Sequence, residues 1–366
     1  MAVKRKYDTI LLGITLTLVL VGFFVLASAS LGLAAQTNKN SYAVLIKQVG
    51  LGMGLGFIFF LLTSRIHYKR WEKIALPFFL FSFFLTLLVF IPHIGIEAGG
   101  AKRWINLGFS FQPSELLKFS FVIYLASWLS KKKKEIPEFK TGLLPFLVIV
   151  GFVGATLVFQ PDLGTLGVIS ITATAMFFLA GGRYTQVGLF LLIGLLALGI
   201  FVAMPGNDYA KNRIIVFFNN TDDIQGIGYQ LNQAKIAIGS GGLFGKGFGE
   251  GLSKFNYLPQ PIGDSIFAVV AEEFGFVGTT FLILLFLAFL WRAFQIALRA
   301  PDRFGRLLAS GIAILIIGQS FINMYTTVGL VPFTGLPLIF ISQGGSALAL
   351  ALAEVGILLN ISRNSK

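Results

Sequence analysis

Long apolar runs alternate along this chain with short polar and basic breaks. Crossing a hydrocarbon core of about 30 Å takes roughly 20 apolar residues in helical form. Runs of that kind fall near 9–31, 42–63, 73–92, 113–130, 142–159, 163–181, 186–204, 266–290, 306–328 and 344–361. They predict an all-α integral membrane protein with about ten transmembrane helices, forming one polytopic domain over 1–366. The opening residues, Lys4-Arg5-Lys6 followed by an apolar stretch to Ala29, imitate a secretory signal. That stretch is long enough to span, so it is read as a retained first helix.

The breaks between runs give sidedness. Cytoplasmic loops collect Lys and Arg. With the N-terminus inside and the sides alternating, nineteen of the 29 Lys and Arg fall on the inner side, Lys69, Arg70, Lys131 to Lys134, Arg292 and Arg299 among them. Nine fall outside, and Lys118 sits within an apolar run. Ten helices place both termini in the cytoplasm; an odd number would spoil the alternation.

Two outer segments stand apart. The stretch at about 205–263, between the seventh and eighth helices, is too long for a mere connector. The stretch at about 328–344 is apolar but broken by Gly329, Pro332, Gly335 and Pro337. Its backbone cannot face lipid unpaired, so a re-entrant-like fold against protein is expected. Both lie outside, which puts the working site on that face.

Composition supports the membrane reading and narrows the chemistry. Hydrophobic residues make up 55% and charged ones 12%, about half the charge of a soluble domain. A net charge of +13 would suit nucleic acid, but the basic residues lie in clusters between apolar runs, so no nucleic-acid partner is expected. The lack of cysteine excludes disulfides, thiol catalysis and Cys metal sites. Two histidines, His67 and His93, are too few for a His-based zinc site.

Ionisable groups inside a bilayer are costly, so each is a functional candidate. Glu115 and Lys118, three apart on a helix, share a face. They form either a self-neutralising ion pair or a site where Lys118 meets an anion, with Arg103 placed to join it. An Arg–Lys pair suits a phosphate-bearing substrate. Residues Gly239 to Gly251 hold seven glycines around Lys246 but lack P-loop spacing, so a flexible loop is expected and an NTPase is rejected. Asp264 precedes the eighth helix, as an N-cap or as a general base at the outer membrane surface. Glu272 and Glu273 lie deeper and need partners; Glu273 is also placed to cap a break near Gly275. Asp162 stands in a tight outer turn, where a turn or N-cap role is the default. Gln319, Asn323 and Glu354 are expected to hydrogen-bond between helices.

Several segments, in order, resemble the shape, elongation, division and sporulation (SEDS) family, FtsW and RodA among them. They are Lys102-Arg103-Trp104 through Phe111-Gln112-Pro113-Ser114-Glu115-Leu116-Leu117-Lys118; Gln160-Pro161-Asp162-Leu163-Gly164-Thr165; and Gly228-Tyr229-Gln230 through Gly241-Gly242. Phe267 through Glu272-Glu273, and Gly335-Leu336-Pro337 through Ser342-Gln343-Gly344-Gly345-Ser346, continue the match. The resemblance spans nearly the whole chain and implies ten helices in the bacterial cytoplasmic membrane. It implies a peptidoglycan glycosyltransferase using lipid II, a disaccharide-pentapeptide on a polyprenyl pyrophosphate, and a class B penicillin-binding transpeptidase as partner.

The family's essential aspartate maps onto Asp264. Two departures surround the match. The family usually has Glu-x-His-Thr before this aspartate and Phe after it, where this chain has Gln260-Pro261-Ile262-Gly263 and Ser265. Gln343 replaces the usual Tyr before Gly-Gly-Ser. The run from Gly356 to Ser362 is more similar to the division branch than to the elongation branch.

The implied mechanism is inverting transfer. Asp264 takes a proton from the acceptor sugar's 4-hydroxyl, while Lys118, Arg103, Arg213 and Lys235 stabilise the departing diphosphate. Glu115 belongs with these substrate-binding residues, and Asp162, Glu272, Glu273, Ser342, Gly344, Gly345 and Ser346 support the site. No cofactor is required by these residues, though a diphosphate leaving group admits a divalent cation, Mg2+ or Mn2+. Two rivals belong to other classes: a flippase for the lipid-linked precursor, and a non-catalytic scaffold for a transpeptidase.

Overall fold

The computed structural model of the chain describes residues 7–37, 45–46, 48–98, 101–106, 110–204, 208–219, 226–255 and 257–365. The basic run Lys4 to Lys6, together with Lys39, Lys47 and Lys366, lies outside the described residues. So do the start of the second apolar run and residues 205–207 and 220–225 of the long outer segment.

Twelve α-helices are described. They are α1 (Thr9–Thr37), α2 (Leu55–Arg65), α3 (Lys69–Leu87), α4 (Pro113–Lys131), α5 (Leu144–Phe159), α6 (Leu163–Leu179), α7 (Tyr184–Ala203), α8 (Asp208–Asn219), α9 (Ile227–Ser240), α10 (Ile266–Arg299), α11 (Arg303–Val328) and α12 (Gly345–Asn364). A helix stands at each of the ten apolar runs. Eight of these places are long and apolar enough to cross a membrane, α2 together with the π-helical turn Gln48–Gly54 ahead of it. The other two are α6, with 17 residues, and α4, which buries Glu115 and Lys118.

The chain is not purely helical. Residues Gly95–Ala98 (β1), Ala101–Asn106 (β2) and Ser110–Phe111 (β3) form a three-stranded antiparallel sheet between α3 and α4. Its short strands satisfy their backbone locally where the chain leaves the helical bundle. The long outer segment is likewise not featureless, since α8 and α9 lie within it.

The bundle buries polar side chains and turns apolar ones outward, as lipid demands. The central helix α11 packs against α10, α4, α6 and α12. It buries Gln319, Ser320, Asn323, Thr326 and Thr327. At the periphery, α7 exposes Leu191, Leu192, Leu195, Leu196 and Ile200, a surface that only lipid or a partner helix can cover. Helix ends follow local chemistry. Asp302 caps α11, accepting from the Gly305 amide at 2.8 Å, and Gly329 closes it in the left-handed conformation.

The two chain ends adjoin. The Asp8 amide donates to Ser362 Oγ (3.2 Å), and the Asp8 carboxylate pairs with Arg292 near the end of α10. Asp264 stands just ahead of the start of that 34-residue helix, so the termini and Asp264 occupy opposite ends of the bundle.

Helix α10 is broken. Gly275 takes φ 64° and ψ −163°, which frees backbone groups on either side. The glycine-rich loop fills them. Amides of Lys246 and Gly247 donate to the carbonyls of Glu272 and Glu273 (both 3.0 Å), and amides of Phe276 and Val277 donate to Gly242 and Leu243 (2.9 and 3.0 Å). Only glycine fits at 275, because a Cβ there would collide with the Gly245 amide. The loop expected to be flexible is therefore a stitched insertion, bearing exposed Leu243, Phe244 and Phe248.

Candidate active site

The site is built where α9, the start of α10, the end of α11 and the 329–344 segment meet. Asp264 lies one residue ahead of the N-cap position of α10, which Ser265 occupies without a side-chain cap bond. Its backbone carbonyl accepts from Asn323 Nδ2 (2.8 Å) and Thr327 Oγ1 (3.4 Å), one turn apart on α11. These bonds fix the backbone and leave the carboxylate to other partners. Gln230 Nε2, on α9, donates to Asp264 Oδ1 at 3.1 Å and to Ser265 Oγ at 2.9 Å.

The side chain is half-buried. Burial pushes its carboxyl up to about 6, against the Gln230 donor, the nearby Arg213 charge and local backbone amides that favour the ionised form. A carboxylate near neutrality in a partly open position is the usual property of a general base.

The 329–344 segment supplies the facing wall. Gly335 holds φ 69°, and a Cβ there would lie 3.6 Å from Asp264 Oδ2. Asn323 Nδ2 also donates to the Leu336 carbonyl (2.7 Å), and Gln319 Nε2 to that of Pro337 (3.1 Å). Ser342 Oγ accepts from the Leu338 amide and donates to Gly263 (2.6 Å), while the Gln343 amide donates to Ile262 (2.8 Å). Gly344 donates to Gln48 Oε1 (3.2 Å), and Gly345 and Ser346 open α12. The segment thus clamps the turn that presents Asp264.

The basic candidates divide into three groups. Arg213 on α8 is buried, donates to the Phe333 carbonyl at 2.9 Å and acts on Asp264 through its charge. Lys235 on α9 is exposed and lies across Gly329. Arg103 on β2 binds the Gln160 and Pro161 carbonyls and approaches Asp162 at 3.8 Å.

Asp162 caps α6 through the Thr165 amide (3.4 Å) and accepts from Ser114 (3.3 Å), so β2, α4 and α6 meet at it. Lys118 forms the third group. Its ammonium reaches Glu115 at 2.8 Å and donates to Gln319 Oε1. Glu354 lines the same small cavity, within a bundle that leaves Lys118 only 2% exposed. Arg103 serves Asp162, then, and Lys118 serves Glu115 and Gln319.

Glu272 and Glu273 hold the stitched loop. Glu272 pairs with Lys246 (2.7 Å) and accepts from the Leu252 amide (3.0 Å) and the Ser253 amide (3.1 Å). Glu273 pairs with Lys254 at 2.6 Å. Gln230, Thr327 and Lys254 carried no assigned role in the sequence. Gln230 lies in a family-like segment, whereas Thr327 and Lys254 had no signal of their own. Among the described residues, no three side chains of metal-ligating type converge.

A polytopic helical membrane protein with a half-buried carboxylate and basic side chains at one end is the class that fold and site define. The chain belongs to the family described as cell cycle protein (FtsW, RodA, SpoVE), whose model matches residues 8–366. It is 40% identical to stage V sporulation protein E of Bacillus subtilis over 365 residues, covering 99% of each. It is 41% identical to a probable peptidoglycan glycosyltransferase FtsW of Geobacter sulfurreducens over 364 residues, covering 99% of this chain and 96% of that one. Among solved structures, RodA of Thermus thermophilus superposes with a TM-score of 0.72 at 28% identity, over 98% of this chain and 97% of RodA. A chain from a peptidoglycan synthase complex that coordinates polymerization and crosslinking superposes at 0.80 and 29% identity, over 98% of each. The chain is a multi-pass protein of the cytoplasmic membrane.

Proposed function

We propose that this chain is a peptidoglycan glycosyltransferase that polymerises lipid II at the outer face of the cytoplasmic membrane. The carrying observation is the Asp264 carboxylate, half-buried, raised toward neutrality, held by Gln230 near the Arg213 charge, on a backbone fixed by Asn323. The orientation follows from charge. The end where the termini meet carries Lys69, Arg70, Arg292 and Arg299 and faces the cytoplasm, so Asp264 faces out. The ten helices are read as ten spans.

Asp264 accepts the proton of the acceptor sugar's 4-hydroxyl. The hydroxyl oxygen attacks the donor's anomeric carbon from the face opposite the diphosphate. The bond to the diphosphate breaks, the polyprenyl diphosphate leaves, and the anomeric centre inverts. Arg213, whose charge acts on Asp264, and Lys235 on α9 neutralise charge on the leaving oxygens. Lys118 and Arg103 reach the diphosphate end of the donor by exchanging their contacts to Glu115, Gln319 and Asp162 for it. Among the described residues no protein-only metal cage is built, so a divalent cation would arrive with the diphosphate and supply charge neutralisation there. A crosslinking transpeptidase of the penicillin-binding class B type is the partner, which would set crosslinking beside polymerisation.

Two outcomes test these roles. Polymerisation by the purified protein rises with pH through about 6, because only the ionised Asp264 accepts a proton. Gln230→Leu removes a donor that favours the carboxylate, so the midpoint moves upward; a profile flat across pH 5–8 contradicts the base assignment. Lys118→Ala abolishes most polymerisation. Full activity with a lowered thermal midpoint assigns Lys118 to the ion pair with Glu115 alone.

A further inference from the structure

The end of the bundle opposite Asp264 holds a second polar cavity, of about 250 Å³. It lies between the start of α1, the last turns of α10 and the end of α12. Arg292 forms one wall and is held rigidly. Its Nε donates to Asp8 Oδ1 at 3.0 Å, its second terminal nitrogen lies 2.8 Å from Asp8 Oδ2, and its first donates to Gln295 at 2.6 Å.

Arg299 stands two turns further along the same face of α10. It is exposed and makes no hydrogen bond or ion pair among the described residues. One carboxylate thus faces two guanidinium groups, and the cavity keeps a positive excess. Ser362 and Ser365, at the end of α12, complete the lining.

What flanks the cavity decides the ligand. Ile10, Leu16, Leu20 and Phe24 are exposed along α1, and Leu287 and Trp291 along α10, which packs against it. A headgroup seated on Arg299 has apolar tracks beside it for its acyl chains. We propose that this cavity binds the phosphodiester of an anionic glycerophospholipid from the cytoplasmic leaflet, with Arg299 as the charge that selects it. The match is one of charge and position: the leaflet is anionic, and basic pockets between helices at its surface suit such headgroups. A guanidinium also forks onto two phosphate oxygens, which an ammonium does not. The proposal rests on the orientation of the bundle and is independent of the glycosyltransferase reading.

Native mass spectrometry of the full-length protein, titrated with phosphatidylglycerol or phosphatidylcholine, tests it. Phosphatidylglycerol adducts are expected to survive several-fold better than phosphatidylcholine adducts. Arg299→Gln is expected to erase that preference and Arg299→Lys to retain part of it. Inorganic phosphate at equal concentration should not displace the lipid. Equal retention of both lipids, an unchanged preference in Arg299→Gln, or displacement by inorganic phosphate overturns the proposal. Arg299 lies on the surface at the far end of the bundle from Asp264, so polymerisation by Arg299→Gln in detergent should match that of the parent and controls for folding.

Discussion

Asp264→Asn is expected to lower glycan polymerisation by about 10²–10⁴-fold, the range a positioned general base contributes. The amide has the carboxylate's shape but cannot accept the hydroxyl proton. The substitution leaves the backbone bonds from Asn323 and Thr327 in place, so the turn ahead of α10 should persist. Thermal midpoints of parent and variant measured side by side check that the fold survives. The variant should be at least as stable as its parent, because a half-buried carboxylate raised to about 6 is ionised at neutral pH at a cost to the folded state. Activity near the parental level would remove Asp264 from the reaction.

The second large effect is on stability. Lys254 and Glu273 are both fully buried, with 0% side-chain exposure. Lys254 Nζ donates to Glu273 Oε1 (2.6 Å), Ser28 Oγ (2.7 Å) and the Gly249 carbonyl (2.8 Å). Glu273 also accepts from Ser28 (2.5 Å) and the Gly249 amide (3.2 Å). Lys254→Met leaves the carboxylate buried without its cation, which costs about 3–5 kcal/mol. The double variant Lys254→Met with Glu273→Gln should recover much of that loss, because no charge is then stranded. Chemical denaturation in detergent reads both values. A single variant within about 1 kcal/mol of the parent would mean that water reaches the pair. The Lys69–Asp302 pair gives the contrast: at 56% and 30% exposure it should contribute little.

Lipid made the spans legible, since a helix that crosses it must be long and apolar whatever its neighbours do. The same rule hid what interrupts them. The run through Gly275 reads as one apolar stretch, yet the helix breaks there and borrows hydrogen bonds from residues 242–247. That pairing is non-local, as is the clamp joining Ser28, Lys254 and Glu273 across 245 residues of chain. Composition alone makes such a glycine-rich loop look mobile. The sheet over residues 95–111 was also missed, its strands being too short to show a period.

At the site, Asp264 was legible as one of two things, a cap or a base. The N-cap position goes to Ser265, so capping does not occupy the Asp264 side chain. Arg103 was expected beside Lys118, but Asp162 lies 59 residues further along and holds it. Glu115, Lys118, Gln319 and Glu354 share a cavity because α4, α11 and α12 cross, which no spacing within one helix reveals.

A carboxylate at the external membrane surface, holding a sugar hydroxyl while cations receive the diphosphate, makes polymer; a path through the bundle moves lipid. Purified protein, alone and with the proposed transpeptidase partner, should be given fluorescent lipid II in detergent and, in parallel, in one leaflet of sealed vesicles. Growing glycan chains that vanish in Asp264→Asn, without transfer of lipid II between leaflets, are the predicted result. Transfer between leaflets with no chain growth, unchanged in Asp264→Asn, would contradict it.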